Sequence, residues 1–139
     1  MIKLCGIRRR EDTEIVNEFL PDYIGMILSD GFRRTVDMNT AAELSKLLDK
    51  RIKKVGVFVN EPAENVIRAA ERLGLDAVQL HGDEDGDYIR SLGNVAEIWK
   101  AVRVRSAEDI YRAETLGCSR LLLDSFVKNA VGGTGVVAD

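Results

Sequence analysis

The feature that most constrains the fold is a repeating alternation of short apolar segments with longer amphipathic segments. Five segments have the apolar spacing of helices, and the segments that flank them are short, apolar and bounded by turn residues, as strands are. The six predicted strands span residues 2–5, 23–28, 54–59, 77–80, 97–102 and 120–125. Repeated βα units of this kind predict a parallel sheet with right-handed crossovers.

Local signals predict where several helices begin. Asn39 or Thr40 is expected to cap the second helix, because short polar side chains accept hydrogen bonds from the first free N–H groups. Pro62 is tolerated in the first turn of the third helix. Ser106 followed by Asp109 resembles a capping box, with Asp in place of the usual Glu or Gln.

The last predicted strand combines three leucines with an acid. Leu121, Leu122 and Leu123 predict a strand buried on both faces, as in a parallel sheet covered by helices. Asp124 stands at its carboxyl end, where α/β proteins carry their chemistry. A single Asp at this position is equally typical of a turn, so Asp124 alone does not predict a site.

Composition limits the class of protein. The chain has 139 residues, of which 45% are hydrophobic and 31% charged, and we expect residues 1–139 to form a single domain. A net charge of −3 argues against a nucleic-acid-binding surface. No apolar run approaches the roughly 20 residues of a membrane helix, and no signal peptide is apparent, so we expect a cytoplasmic protein. Cys5 and Cys118 show neither metal-site spacing nor a disulfide framework.

Two sheet architectures fit the alternation. An open, doubly wound sheet accommodates six strands, whereas an eight-stranded barrel needs at least roughly 200 residues, so length alone favours the open sheet. A flavodoxin-like response or nucleotide domain is a third alternative. It would need a phosphate-binding loop after the first strand, where this chain has Arg8, Arg9 and Arg10.

Polar or reactive residues stand at the ends of several predicted strands, namely Cys5, Gln79, His81, Arg103 and Asp124. In a barrel these residues would share one mouth, because parallel strands present their carboxyl ends on the same side. A thiol and a carboxylate facing each other there would make an acid and a base. Taken alone, Cys5 is more typical of a small buried apolar residue, and His81 of a hydrogen-bonded structural group.

Six motifs, in order and at consistent intervals, carry a resemblance to a known family. They are Lys3–Ile7, Val55–Asn60, Val78–Glu84, Lys100–Val104, Leu122–Ser125 and Gly132–Gly135. Over its whole length the chain resembles the phosphoribosylanthranilate isomerases of tryptophan biosynthesis. The resemblance implies an α/β fold of the TIM-barrel type, with about six strands and five helices of a (β/α)8 barrel present in this chain.

The resemblance implies an Amadori rearrangement of N-(5-phosphoribosyl)anthranilate, a small phosphorylated substrate, to its 1-deoxyribulose 5-phosphate product. Asp124 matches the acid that protonates the ring oxygen, and Cys5 matches the base that removes the proton from C2. No metal or cofactor is implied, because the nitrogen of the substrate acts as the electron sink.

Further residues are implied to bind the substrate. Arg34 matches the arginine that holds the anthranilate carboxylate, for which a planar guanidinium is better suited than an ammonium. Gly133 and Thr134 lie in a glycine-rich loop that covers the site in the family. The remaining residues expected to line the substrate are Gln79, His81 and Arg103.

The chain departs from the family after its sixth strand. It ends at Asp139, whereas the family continues through strands seven and eight, whose loops hold the phosphate. We therefore expect a C-terminally truncated isomerase of very low activity, whose unpaired sheet edges make it unfold, aggregate or pair with another copy of the chain. The alternative from another class is a catalytically inactive, self-associating α/β scaffold module.

Overall fold

Six strands alternate with five helices in the computed structural model, which describes residues 1–125. The strands are β1 Lys3–Cys5, β2 Tyr23–Ile27, β3 Lys53–Phe58, β4 Ala77–Leu80, β5 Glu97–Val104 and β6 Arg120–Ser125. The helices are α1 Arg10–Phe19, α2 Met38–Leu47, α3 Ala63–Leu73, α4 Gly86–Ser91 and α5 Ala107–Glu114. The predicted number and order of strands and helices are confirmed.

All strands are parallel and pair in sequence order, β1-β2-β3-β4-β5-β6. A doubly wound sheet has a permuted strand order, whereas a (β/α)8 barrel has a sequential one. The barrel-type prediction is therefore confirmed, and the open, doubly wound sheet that length alone favours is wrong.

Alternation along the strands divides the core between the two faces of the sheet. Ile24, Val78 and Ile98 pack with the helices in the larger cluster of buried residues. The opposite face, which we call the inner face, carries a smaller cluster of Tyr23, Val55, Ala77 and Trp99. Because successive side chains point to opposite faces, residues two apart from these also lie on the inner face.

The sheet is strongly curved around its inner face. The rings of Tyr23 on β2 and Trp99 on β5 meet edge to face, with 4.9 Å between their centroids. In a flat sheet, three strand spacings would separate them by roughly 14 Å. Curvature of this kind is what a barrel requires, and it brings side chains of non-adjacent strands into contact.

The leucines of β6 are less buried than predicted. Leu123 is 56% exposed, and Leu121 and Leu122 are only partly buried, so the prediction of a strand buried on both faces is wrong for the described residues. The reason is position: within residues 1–125, β6 lies at the edge of the sheet, and α5 packs on β5.

The predicted helix starts are partly confirmed. The Ser106–Asp109 capping box of α5 is present. For α2 the predicted cap is wrong, because the helix begins at Met38 and its cap is Asp37, whose carboxylate accepts the N–H of Thr40 at 2.8 Å. Among the described residues, no helix combines the length and apolar character needed to cross a membrane.

Candidate active site

The carboxyl ends of the strands carry a cavity of about 480 Å³ on the inner face. Cys5 reaches it from β1, and Gln79 reaches it from β4, two residues beyond Ala77 of the inner cluster. Asp124 of β6 lies on the same face, two residues beyond Leu122. The lining residues used below are Lys3, Cys5, Gly6, Arg34, Gln79 and His81.

Gly25 makes room for the thiol of Cys5. The two residues are paired in register on β1 and β2, and Cys5 is exposed. A Cβ atom on Gly25 would lie 2.9 Å from the Sγ atom of Cys5, which is too close for a stable contact. The carbonyl oxygen of Gly25 accepts the N–H groups of Gly6 and Ile7 at 3.0 and 3.1 Å, so it also holds the chain directly after Cys5.

Arg34 lies against the backbone that follows Cys5. Gly6 has a φ of +84°, and a Cβ atom on it would lie 2.5 Å from the Cδ atom of Arg34, so the arginine crosses the chain where a side chain is missing. Among residues 1–125, no carboxylate pairs with the guanidinium of Arg34. The guanidinium is therefore available to an anionic group bound in the cavity.

Thr35 fixes the loop that carries Arg34. Its hydroxyl group donates to the carbonyl oxygen of Ser29 at 2.7 Å and accepts the N–H of Phe32 at 3.1 Å. The next residue, Val36, donates its N–H to the carbonyl oxygen of Ile27 at 2.9 Å, and Thr35 forms a parallel bridge with Ile27. These bonds tie the loop to the end of β2 and hold Arg34 near Cys5.

A row of polar side chains crosses the inner face from β1 to β6. The Nζ atom of Lys3 donates to Oε1 of Gln79 at 2.5 Å. The Nε2 atom of Gln79 lies 3.2 Å from Nδ1 of His81. The Nε2 atom of His81 lies 3.5 Å from Oδ2 of Asp124, within ion-pair distance. Because the sheet is curved, side chains of β1, β4 and β6 that are far apart in sequence come close enough to form this row.

The surroundings of His81 favour its neutral form. Burial lowers the pKa of His81 from its usual value, and the Asp124 carboxylate opposes this effect without reversing it. The positive charges of Lys100 and Lys3 lower the pKa further. Because an unperturbed histidine has a pKa of about 6.5, this lowering favours the uncharged imidazole at neutral pH.

A buried ion pair fixes the loop that follows His81. Lys100 and Glu84 lie 2.9 Å apart, with side chains only 7% and 1% exposed. The Glu84 carboxylate also accepts the N–H groups of Gly82 and Asn60 at 2.9 and 2.8 Å, and Lys100 donates to the carbonyl oxygen of Gly82 at 2.5 Å. The pair thereby connects the loops after β3 and β4 to β5.

The predicted residues are only partly brought together. Cys5, Arg34, Gln79 and His81 line one cavity, and Asp124 contacts His81. Arg103 is next to Asp124 in register but pairs with Asp83 at 3.2 Å and lines a different cavity of about 370 Å³. Gly133 and Thr134 lie outside the described residues. Cys118 packs against the larger core cluster, away from these groups.

Several residues of the site were not predicted from the sequence. Lys3 lies two positions before Cys5 and so shares its face, a signal that strand periodicity offers. The buried pair of Lys100 and Glu84 falls inside two of the recognised motifs, but neither residue stands out locally. The role of Gly25 depends on the register of β1 against β2.

The chain is similar in sequence to proteins of known family. The family described as N-(5'phosphoribosyl)anthranilate (PRA) isomerase matches residues 2–139. The N-(5'-phosphoribosyl)anthranilate isomerase of Thermoanaerobacter sp. (strain X514) is 44% identical over 134 residues, which are 96% of this chain and 65% of the relative. That of Caldanaerobacter subterraneus is 46% identical over 138 residues, covering 99% of this chain and 67% of the relative.

Solved structures give the same result. The chain superposes on the phosphoribosylanthranilate isomerase of Thermotoga maritima with a TM-score of 0.84 and 32% identity, covering 92% of this chain and 62% of that one. A phosphoribosylanthranilate isomerase in complex with reduced 1-(o-carboxyphenylamino)-1-deoxyribulose 5-phosphate gives a TM-score of 0.82 and 34% identity, covering 89% and 64%. The chain thus spans 62–67% of the length of these relatives, and it belongs to the PRA isomerase family.

Proposed function

We propose that this chain carries the proton-transferring groups of a phosphoribosylanthranilate isomerase, with Cys5 as the base and Asp124 as the acid. The observation that supports the proposal is their placement on one inner face. Cys5 lines the cavity at the end of β1, and Asp124 at the end of β6 contacts His81, which lines the same cavity. We further propose that residues 1–139 form one domain and that the protein acts in the cytoplasm.

The reaction needs one proton delivered and one removed. Asp124 donates a proton to the ring oxygen of N-(5-phosphoribosyl)anthranilate, and the C1–O bond breaks to give an iminium ion on the substrate nitrogen. Cys5, as the thiolate, then takes the proton from C2, and the electron pair of that bond moves toward the nitrogen to form an enolamine. Tautomerisation of the enolamine gives the ketone product.

Arg34 is proposed to bind the anthranilate carboxylate. Its guanidinium lies across Gly6, directly after Cys5, and a planar guanidinium can form two parallel hydrogen bonds with a carboxylate. This would direct the aromatic ring of the substrate to the β1 side of the cavity. Arg103, Gly133 and Thr134 remain proposed binding residues.

The proposal is tested by following consumption of N-(5-phosphoribosyl)anthranilate with the 139-residue chain. We expect Cys5→Ser and Asp124→Asn each to lower turnover by about 10²-fold or more, since positioned acids and bases contribute that much. Cys118→Ser is the matched control, because that partly buried thiol packs against the core and does not line the cavity. A Cys5→Ser protein as active as the wild type would contradict the proposal, and so would a wild-type rate equal to that in buffer.

We also propose that copies of the chain associate through the edges of the sheet. Within residues 1–125, β1 and β6 each pair with one strand only. Apolar side chains lie exposed near both edges, with Ile2 62%, Leu4 39% and Leu123 56% accessible. Edges of this kind favour pairing with another chain. One solved relative consists of monomers generated from the dimeric enzyme of Thermotoga maritima.

Sedimentation across a range of protein concentrations tests this association. We expect a concentration-dependent shift to a larger species, and we expect Leu123→Lys to weaken it. A single monomeric species at all concentrations would contradict the proposal.

A further inference from the structure

In the polar row from Lys3 to Asp124, the donor and the acceptor of each hydrogen bond can be identified. An ammonium group can only donate, so the 2.5 Å bond from Lys3 identifies the facing atom of Gln79 as the carbonyl oxygen, Oε1. The amide NH2 group of Gln79 is thereby directed toward His81, where it lies 3.2 Å from Nδ1. An amide NH2 group also can only donate, so Nδ1 must be the acceptor and carries no proton.

In a neutral imidazole the proton then lies on the other nitrogen. The Nε2 atom of His81 is buried and makes no hydrogen bond within residues 1–125, and the Oδ2 atom of Asp124 faces it at 3.5 Å. We propose that Lys3 and Gln79 are positioning residues that fix the His81 tautomer with its proton on Nε2, directed at Asp124. The consequence for catalysis depends on the function proposed above, whereas the tautomer itself does not.

The tautomer of His81 with its proton on Nε2 allows Asp124 to act as an acid. With its proton on Nε2, His81 can only donate to Asp124, so it cannot take up the proton that Asp124 must deliver to the substrate. When the proton leaves, the N–H of His81 stabilises the negative charge that develops on the carboxylate. The opposite tautomer would present a lone pair to Asp124 and compete with the substrate for its proton.

The charges around His81 favour the neutral imidazole on which this argument depends. The groups that act on its pKa are Asp124, Lys100 and Lys3, and burial together with the two lysines outweighs the carboxylate. Lys3 therefore has two effects: it orients Gln79 through a hydrogen bond and disfavours a second proton on His81. A lysine that was only a surface charge would have neither effect.

The tautomer can be measured directly, because His81 is the only histidine of the chain. In ¹⁵N-labelled protein at pH 8, the two ring nitrogens have different chemical shifts according to which one carries the proton. Long-range ¹H–¹⁵N correlations assign the two shifts to Nδ1 and Nε2. We expect the proton on Nε2 in the wild type. A proton on Nδ1, or an even mixture of the two tautomers, would overturn the inference without any variant being needed.

Variants test which residues fix the tautomer. In Gln79→Glu the new carboxylate can only accept, so we expect the proton to move to Nδ1 and turnover to fall by about tenfold or more. In Lys3→Met we expect both tautomers to be populated, because the amide of Gln79 is no longer oriented. Lys53→Met, a change of exposed lysine at the amino end of β3, is the control and should keep the wild-type tautomer.

These measurements separate this inference from the proposed function. A Gln79→Glu protein that stays folded, judged from its amide spectrum, and keeps its proton on Nε2 would overturn the inference even if turnover is lost. The expected tautomer and its expected switch in Gln79→Glu would support the inference even if the wild type does not turn over N-(5-phosphoribosyl)anthranilate. That second result would count against the proposed function alone.

Discussion

Two glycines determine what surrounds Cys5. Gly6 lets Arg34 cross the backbone directly after the thiol, and Gly25 leaves space for the Sγ atom itself. Both positions act by lacking a side chain, and their effect is to place a thiol next to a guanidinium that has no carboxylate partner among the described residues. The arrangement concentrates a nucleophilic atom and a positive charge at one wall of the cavity.

Gly25→Ala should disturb this wall. The added methyl group would lie 2.9 Å from the Sγ atom of Cys5 and 3.2 Å from the Cε atom of Lys3, so both side chains must shift. We expect a loss of about 1–3 kcal/mol in the free energy of unfolding, measured with urea, as is usual for overpacking. Gly86→Ala is the control, because its methyl group would meet the end of the Arg90 side chain at 3.4 Å and the carbonyl oxygen of Leu116 at 3.9 Å, neither of which is a clash. Equal stabilities of the two variants would contradict this reading of Gly25.

The loops after β3 and β4 depend on β5 for their positions. Glu84 and Lys100 form the buried connection, and its hydrogen bonds reach the backbone of Asn60 and Gly82. Because Gly82 directly follows His81, the pair also helps to fix the position of His81 just beyond the end of β4. A buried ion pair contributes little net stability compared with apolar residues, so its importance here lies in fixing a geometry.

Breaking this pair should be costly. Lys100→Met leaves the Glu84 carboxylate buried without its partner, and we expect the free energy of unfolding to fall by about 3–5 kcal/mol. The double variant Lys100→Met/Glu84→Gln should recover part of this loss, because no unpaired charge remains. Lys46→Met, at an exposed position in α2, serves as the control and should change stability by less than about 0.5 kcal/mol. A Lys100→Met protein as stable as this control would contradict the argument.

Some features of the strands and of the site could be predicted from the sequence, and others could not. The ends of β1, β4 and β6, at Cys5, Leu80 and Ser125, were predicted correctly, because apolar periodicity and turn residues are local signals. The bond from Lys3 to Gln79 could not be predicted, since it joins β1 to β4 and exists only because the sheet curves. The exposure of Leu123 was missed for a related reason: burial depends on which helix packs nearby, and three leucines carry no information about that.

For the molecule as a whole, several carboxylates stabilise the folded state when they are ionised, so their contribution is lost in acid. Backbone N–H groups that donate to Asp37 and Asp109, at the starts of α2 and α5, lower the pKa of both carboxyls. The Arg51 side chain, hydrogen bonded to Asp49, lowers the pKa of that group to about 2. In the unfolded chain these groups titrate near pH 4.

Stability should therefore be lost in acid. Because the folded pKa values lie below the unfolded ones, the contribution of these groups is complete above about pH 4 and is lost as the pH falls through the folded values. We expect urea midpoints to decrease steeply between pH 4 and pH 2. In Asp37→Asn/Asp109→Asn this acid limb should be shallower, since the amide oxygen of Asn can still accept the backbone N–H groups at both helix starts but does not titrate. An identical acid limb in that variant would contradict the assignment.

The curvature of the sheet turns the ends of β1 and β4 toward one cavity and places Asp124 of β6 against His81, which lines that cavity. The function proposed above requires above all that Cys5 face the space in which a substrate would bind. The most direct test is the rate at which iodoacetamide alkylates each thiol, followed by mass spectrometry, with and without reduced 1-(o-carboxyphenylamino)-1-deoxyribulose 5-phosphate. We predict that the compound slows alkylation of Cys5 and leaves that of Cys118 unchanged. Unchanged alkylation of Cys5 at saturating concentrations of the compound would contradict the account.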